Sequence, residues 1–269
     1  MTGPRRLVIL PLAASACVWA APPPHEFTAA EETELGRPIV AALDQAFPLV
    51  SEPRVQDAVD RLGRQLAGHA GRPDLRFAFR VPDRPAVNAF AVAGGTVYVY
   101  RGLLDEAADL SEVAGILSHE IVHVTAGHAV RQLEDLRRAR LGIATTGGGD
   151  ISRSLHTANY SRAVELEADS LAVNLMVESG WDPEGLVSFF RTMLSHRPRP
   201  PGVLETPYLS HPVLEDRIAH VERIIDHIPP DVRRTLRRSS SDWERLRRTL
   251  AERSAAGGAE EVDREGDGP

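Results

Sequence analysis

The sequence predicts an α+β fold, mainly helical with a small, mostly antiparallel β-sheet. Two changes of rhythm carry that expectation. From Thr28 to Ile228 apolar residues recur mostly every three or four positions, the spacing of helices that bury one face. Between Arg76 and Tyr100 the spacing drops to two, and β-branched and aromatic residues take over, as in strands.

The first helix is expected over about Thr28 to Phe47, with Leu35, Ile39, Leu43 and Phe47 on one stripe. A second runs from about Pro53 to His69, turning Val55, Val59, Leu62 and Leu66 inward. Strands follow at Arg76–Val81, Asn88–Val92 and Thr96–Tyr100, and Gly94-Gly95 makes a tight turn between the last two. Helix resumes at Leu103. Asp109 and Glu112 then form a capping signal for a central helix. Its apolar positions include Val113, Ile116, Leu117, Val124 and Val130, and it is expected to reach about Arg140. Gly147-Gly148-Gly149 marks a loop. Further helices are expected over Ser161–Ser179, Glu184–His196 and Leu214–Ile228, with a Pro-rich irregular stretch from Pro198 to Tyr208.

Of the 269 residues 42% are hydrophobic, enough for a sizeable core, and the net charge of -7 argues against a nucleic-acid partner. The single cysteine, Cys17, lies near the N-terminus, so the body has no disulfide, thiolate metal site or cysteine nucleophile. Any metal there must be held by His and carboxylates.

Residues 1–21 read as an export signal: Arg5 and Arg6 precede an apolar stretch from Leu7 to Trp19, too short to span a bilayer comfortably. Cleavage near Ala20 or Ala21 and lipid attachment at Cys17 both stay open. The expected location is the periplasm or cell envelope, with membrane association through the N-terminus. A linker occupies 22–27, the main domain 28–228 and a charged helical extension 229–254, with Trp243, Leu246 and Leu250 as its apolar markers. The acidic, Gly-rich residues 255–269 are expected to be disordered.

The chemistry centres on His119-Glu120-Ile121-Val122-His123. On a helix, His119 and His123 share a face and can hold one zinc ion. Glu120 projects beside them, where it can deprotonate a zinc-activated water. Such a string also arises by chance, but this one sits mid-helix, behind a capping signal and among apolar residues. A catalytic zinc needs a third protein ligand. Glu165 and Asp169, one helical turn apart, can supply it, one binding the metal and the other orienting a ligand imidazole. Glu167 reads as solvated and His128 as structural.

These residues resemble the gluzincin peptidase family of HtpX, BepA and the CAAX prenyl proteases, and look closest to its soluble, exported BepA-like and Oma-like branch. The resemblance rests on His119 to Thr125, Tyr160-Ser161-Arg162, Glu165 to Asp169 and Gly180-Trp181-Asp182-Pro183. Val87 to Ala91, Gly94-Gly95, Gly102-Leu103-Leu104, Ser210-His211-Pro212 and Arg217 also match. It implies a zincin-like metallopeptidase domain with one zinc per chain. By position, His119, His123 and Glu165 would be ligands, Glu120 the general base and Asp169 the group orienting a ligand. His211 would stabilise the oxyanion, or fill the open position and hold the enzyme latent, with Arg217 in support. Expected substrates are proteins or peptides, above all misfolded or misassembled envelope proteins. The strand Thr96–Tyr100 is expected to offer a sheet edge to an extended substrate. An alternative is a chaperone-like quality-control protein with a latent metal site. Two departures stand out: Glu165 follows His123 by only 42 residues, and Gly127 replaces an Arg common in the family.

Overall fold

A helix buried on every side organises the molecule. The computed structural model describes residues 27–139, 160–195, 215–241, 243, 244, 247, 248 and 250, with only the backbone of 136–139. The expected signal segment, the glycine and proline-rich loops, His211 and the acidic tail lie outside the described residues. In chain order the elements are α1 (Ala29–Ala46), α2 (Pro53–Ala67), β1 (Ala78–Arg80), β2 (Ala89–Val92), β3 (Thr96–Val99), α3 (Arg101–Glu106), α4 (Leu110–Thr125) and α5 (His128–Ala139). After the first gap come α6 (Arg162–Glu178) and α7 (Glu184–Ser195), then α8 (Glu215–Asp226) and α9 (Pro230–Arg233). The α+β class is borne out.

α4 is the axis. Every residue from Ser111 to Thr125 is buried, and α2, α6, α7 and β2 pack around it. A helix apolar on all faces must sit inside the protein. Side chains such as Ile116, Leu117 and Ile121 each stabilise it by about 1.5–3 kcal/mol through burial. Asp109 caps the helix by accepting from the Ser111 and Glu112 amides. Glu112 reaches back one residue further than a capping box requires and accepts from the Ala108 amide at 2.9 Å.

The expected extension of this helix to about Arg140 is corrected. α4 ends at Thr125, Gly127 adopts φ 73°, and α5 starts afresh at His128. Only glycine takes that conformation readily, so Gly127 turns the chain where the apolar pattern alone suggests continuity.

The sheet has the order β1-β3-β2 and is mixed. β2 and β3 pair antiparallel across the expected glycine turn, from Ala89 opposite Val99 to Val92 opposite Thr96. β1 runs parallel to β3, Ala78 beside Thr96. β3 is therefore central, with its backbone engaged on both sides. The expectation of a substrate-pairing edge at Thr96–Tyr100 is corrected: the edge strand beside α4 is β2. One sheet face sets Phe90, Val92 and Tyr98 against Ile39 and Leu43 of α1 and its C-cap Phe47. The other gives Phe79, Ala91, Val97 and Val99 to the core around α2 and α4.

The chain after α8 closes over the start of α4. The Arg238 carbonyl accepts from the Ser111 amide at 2.7 Å, and the Arg237 carbonyl from the Asp182 amide at 3.0 Å. Trp243 and Leu250 are buried in the main core, which explains two of the apolar markers in an otherwise charged stretch. Among the described residues no helix is long and apolar enough to cross a membrane.

α7 crosses the first turn of α4 at close range. A Cβ on Gly185 would lie 2.4 Å from the Ser111 carbonyl carbon and oxygen. Gly185→Ala must push the two helices apart, and we expect it to lower unfolding free energy by about 1–3 kcal/mol in urea titrations. An unchanged midpoint would show that the crossing can relax.

Candidate metal centre

Three helices converge on one buried cluster. α4 contributes His119, Glu120 and His123. α6 begins at its cap Ser161, whose hydroxyl accepts from the Val164 amide, and so places Glu165 in its first turn and Asp169 one turn on. α8 inserts Arg217. All six side chains are essentially excluded from solvent.

The donor atoms face one another. His119 Nε2 lies 3.0 Å from His123 Nε2 and 3.4 Å from Glu165 Oε2. His123 Nε2 lies 3.7 Å from Glu165 Oε1. Donors bound at about 2.0–2.1 Å around a tetrahedral ion stand about 3.3 Å apart. One donor atom from each residue lies within 4.8 Å of the others, so the three could hold one metal ion.

Charge argues the same way. Glu120, Glu165 and Asp169 bury three carboxyl groups, whereas Arg217 supplies one guanidinium. Burying carboxylates is expensive, and a divalent cation held here would lower that cost. The acids also act on His119. Burial pushes its imidazolium down, but the Asp169 and Glu165 carboxylates outweigh burial and raise its pKa to about 9.

Arg217 ties the acids together. Its Nε and Nη2 donate to the two Asp169 oxygens at 2.7 and 2.6 Å, and Nη1 lies 2.7 Å from Glu165 Oε2. Its guanidinium also rests over the Phe190 ring at 4.6 Å. Burial raises the Asp169 pKa, but this guanidinium more than offsets that and holds it below the usual carboxylate range. Asp169 Oδ1 stands 3.1 Å from His119 Nδ1, the ring nitrogen opposite the donor.

Two neighbours of His123 were not foreseen. Tyr160 stacks on its ring, centroids 4.1 Å apart and planes at 15°. His128 Nδ1 lies 3.2 Å from His123 Nδ1. Burial above all pushes His128 down, to a pKa of about 4. Glu167, expected on a solvated face, is half-exposed and places Oε2 3.6 Å from His128 Nε2. The turn at Gly127 folds His128 back toward α4.

The structure therefore brings His119, His123 and Glu165 together, sets Asp169 and Arg217 against them, and buries Glu120 alongside. His211 lies outside the described residues, so its expected approach to the metal and its link to Arg217 are not part of this geometry.

The beta-barrel assembly-enhancing protease of Escherichia coli (strain K12) is 27% identical over 224 residues, 75% of this chain and 45% of the relative. The metalloprotease YcaL of the same organism is 35% identical over 148 residues, 50% of this chain and 57% of its own length. The mitochondrial metalloendopeptidase OMA1 of Bos taurus is 26% identical over 179 residues, 58% of this chain and 34% of its own. The chain thus spans about half the length of the relatives it matches or less. The model of peptidase family M48 matches residues 53–225, a span that holds both helices of the His-His-Glu cluster and Arg217, and on that match the chain belongs to peptidase family M48.

Proposed function

We propose that this chain is a zinc-dependent endopeptidase that hydrolyses misfolded or misassembled cell-envelope proteins. The observation that carries the reading is the His119–His123–Glu165 cluster, whose donor atoms lie close enough to share one ion beside a buried acid.

Bound zinc would supply Lewis acidity toward the scissile carbonyl and an attacking water. The chain's own groups do the rest. Glu120 is the general base that takes the water proton and then hands it to the leaving amine. Asp169 fixes the His119 ring, and Arg217 holds Asp169 and Glu165 in place. The outer side of β2 is proposed to pair with an extended substrate backbone. Asn88 and Val92 direct their carbonyls inward, to the Tyr100 and Gly95 amides. By antiparallel alternation, Ala89 and Ala91 turn their backbone groups away from β3. Main-chain pairing of that kind tolerates many sequences, which suits damaged protein substrates. The name of the E. coli relative, a beta-barrel assembly-enhancing protease, supports an envelope role. The N-terminal Arg5-Arg6 and apolar stretch supports export.

The test uses purified protein, unfolded casein and an unfolded outer-membrane barrel protein, with and without 1,10-phenanthroline. We expect one zinc per chain, cleavage of both substrates, loss of cleavage with the chelator and recovery on adding zinc. Binding of unfolded protein with no chelator-sensitive cleavage would instead support the chaperone-like alternative.

A further inference from the structure

Each imidazole that turns Nε2 toward the candidate ion must carry its proton on Nδ1, and that proton needs an acceptor. For His119 the carboxylate on that side is Asp169, with Oδ1 at 3.1 Å. His123 meets a second imidazole at that position. Its Nδ1 lies 3.2 Å from His128 Nδ1, and both rings are buried.

We infer that His128 is a positioning residue for the metal centre, accepting the His123 Nδ1 proton and passing the polarisation on to Glu167. The inference rests on the zinc reading above. Two ring nitrogens at hydrogen-bond distance share one proton. If His123 donates, His128 Nδ1 is bare and its own proton sits on Nε2. That nitrogen faces Glu167 Oε2 at 3.6 Å, longer than a hydrogen bond but within ion-pair reach. The result is a chain of His123, His128 and Glu167, longer by one imidazole than the His119–Asp169 arm. Tyr160 closes it from the side, stacked on His123 and tilted 55° to His128 at 6.1 Å. A stacked ring blocks rotation of His123, so the hydrogen bond fixes the tautomer while Tyr160 fixes the plane. Gly127 makes the arrangement available. Its left-handed turn starts α5 at His128, five residues beyond His123, where an unbroken helix would turn that side chain away.

A purely structural His128 would fill space and need no tautomer. The isosteric pair His128→Asn and His128→Leu separates the two roles, because Asn keeps an acceptor near Nδ1 and Leu does not. Zinc affinity is measured by competition with a chromophoric chelator on metal-free protein, with circular-dichroism melting of the metal-free variants alongside. The expected result is about a 10–100-fold weaker zinc affinity for the Leu variant, recovery to within a few-fold of wild type in the Asn variant, and similar melting of the two. Equal loss in both variants, or no loss in the Leu variant, overturns the role. A direct reading needs no substitution: long-range 1H–15N spectra of the zinc-loaded wild type should show His123 protonated on Nδ1 and His128 on Nε2. A His128 proton on Nδ1 overturns the proposal even if a variant fails to fold. A wild type with no zinc affinity overturns the metal reading itself, whereas bound zinc with the wrong His128 tautomer overturns only this arm.

Discussion

Glu120→Gln is expected to keep the zinc and lose about 10²–10⁴-fold in turnover, the usual range for removing a positioned general base. The substitution conserves shape in a fully buried position. It leaves His119, His123 and Glu165 untouched, so the three donors keep their separations. An amide cannot accept a proton in the working range and cannot return one to a leaving amine. The loss should therefore fall on kcat and on kcat/KM alike, with little change in KM. Metal content by atomic emission and cleavage of a quenched fluorescent peptide make the check. Normal turnover by a zinc-loaded Gln variant would end the assignment of Glu120. Loss of zinc along with activity would assign it to binding instead.

The second large effect concerns stability. Arg217→Met should lower unfolding free energy by about 3–5 kcal/mol, the range for removing one partner of a buried ion pair. Methionine can occupy much of the space against Phe190, so packing is largely spared and the charge is isolated. Asp169 and Glu165 would be left buried with no guanidinium beside them. The deficit should depend on pH. Asp169 has a folded pKa below its ordinary value. Its stabilisation is complete above the unfolded carboxylate pKa and is lost as pH falls through the folded one. The gap between wild type and variant should thus be full at neutral pH and narrow under acid. Combining Arg217→Met with Asp169→Asn should cost less than the sum of the single changes. Urea titrations of metal-free protein at several pH values decide it. A neutral-pH difference below about 1 kcal/mol would show that solvent, not Arg217, balances these acids.

Much of this centre was legible because α-helical periodicity is local. Four-residue spacing puts His119 beside His123 on α4, and Glu165 beside Asp169 on α6, whatever the rest of the chain does. Sequence reasoning stopped where geometry depends on how segments turn. The apolar pattern continues from Val124 to Val130, so the break at Gly127 was invisible, and with it the return of His128 to His123. Glu167 was judged from its own helix, yet its neighbour comes from α5. The sheet shows the same limit. Alternation identified the three strands, and Gly94-Gly95 identified the β2–β3 hairpin. The parallel direction of β1 depends on the path by which the chain returns past β2, which no short window contains. Arg217 was expected in support of His211, and its clamp on two acids of α6 follows only from the packing of α8.

The burial of α4 on every side has a consequence for how the site fails. A loop-borne site can loosen while its scaffold persists. Here the helix that carries His119, Glu120 and His123 is also the middle of the core, so exposing its amides to exchange requires opening the molecule nearly as a whole. Site geometry and folding are therefore one cooperative unit. Denaturation should take the centre from intact to absent in a single step, with no softened, half-assembled site between.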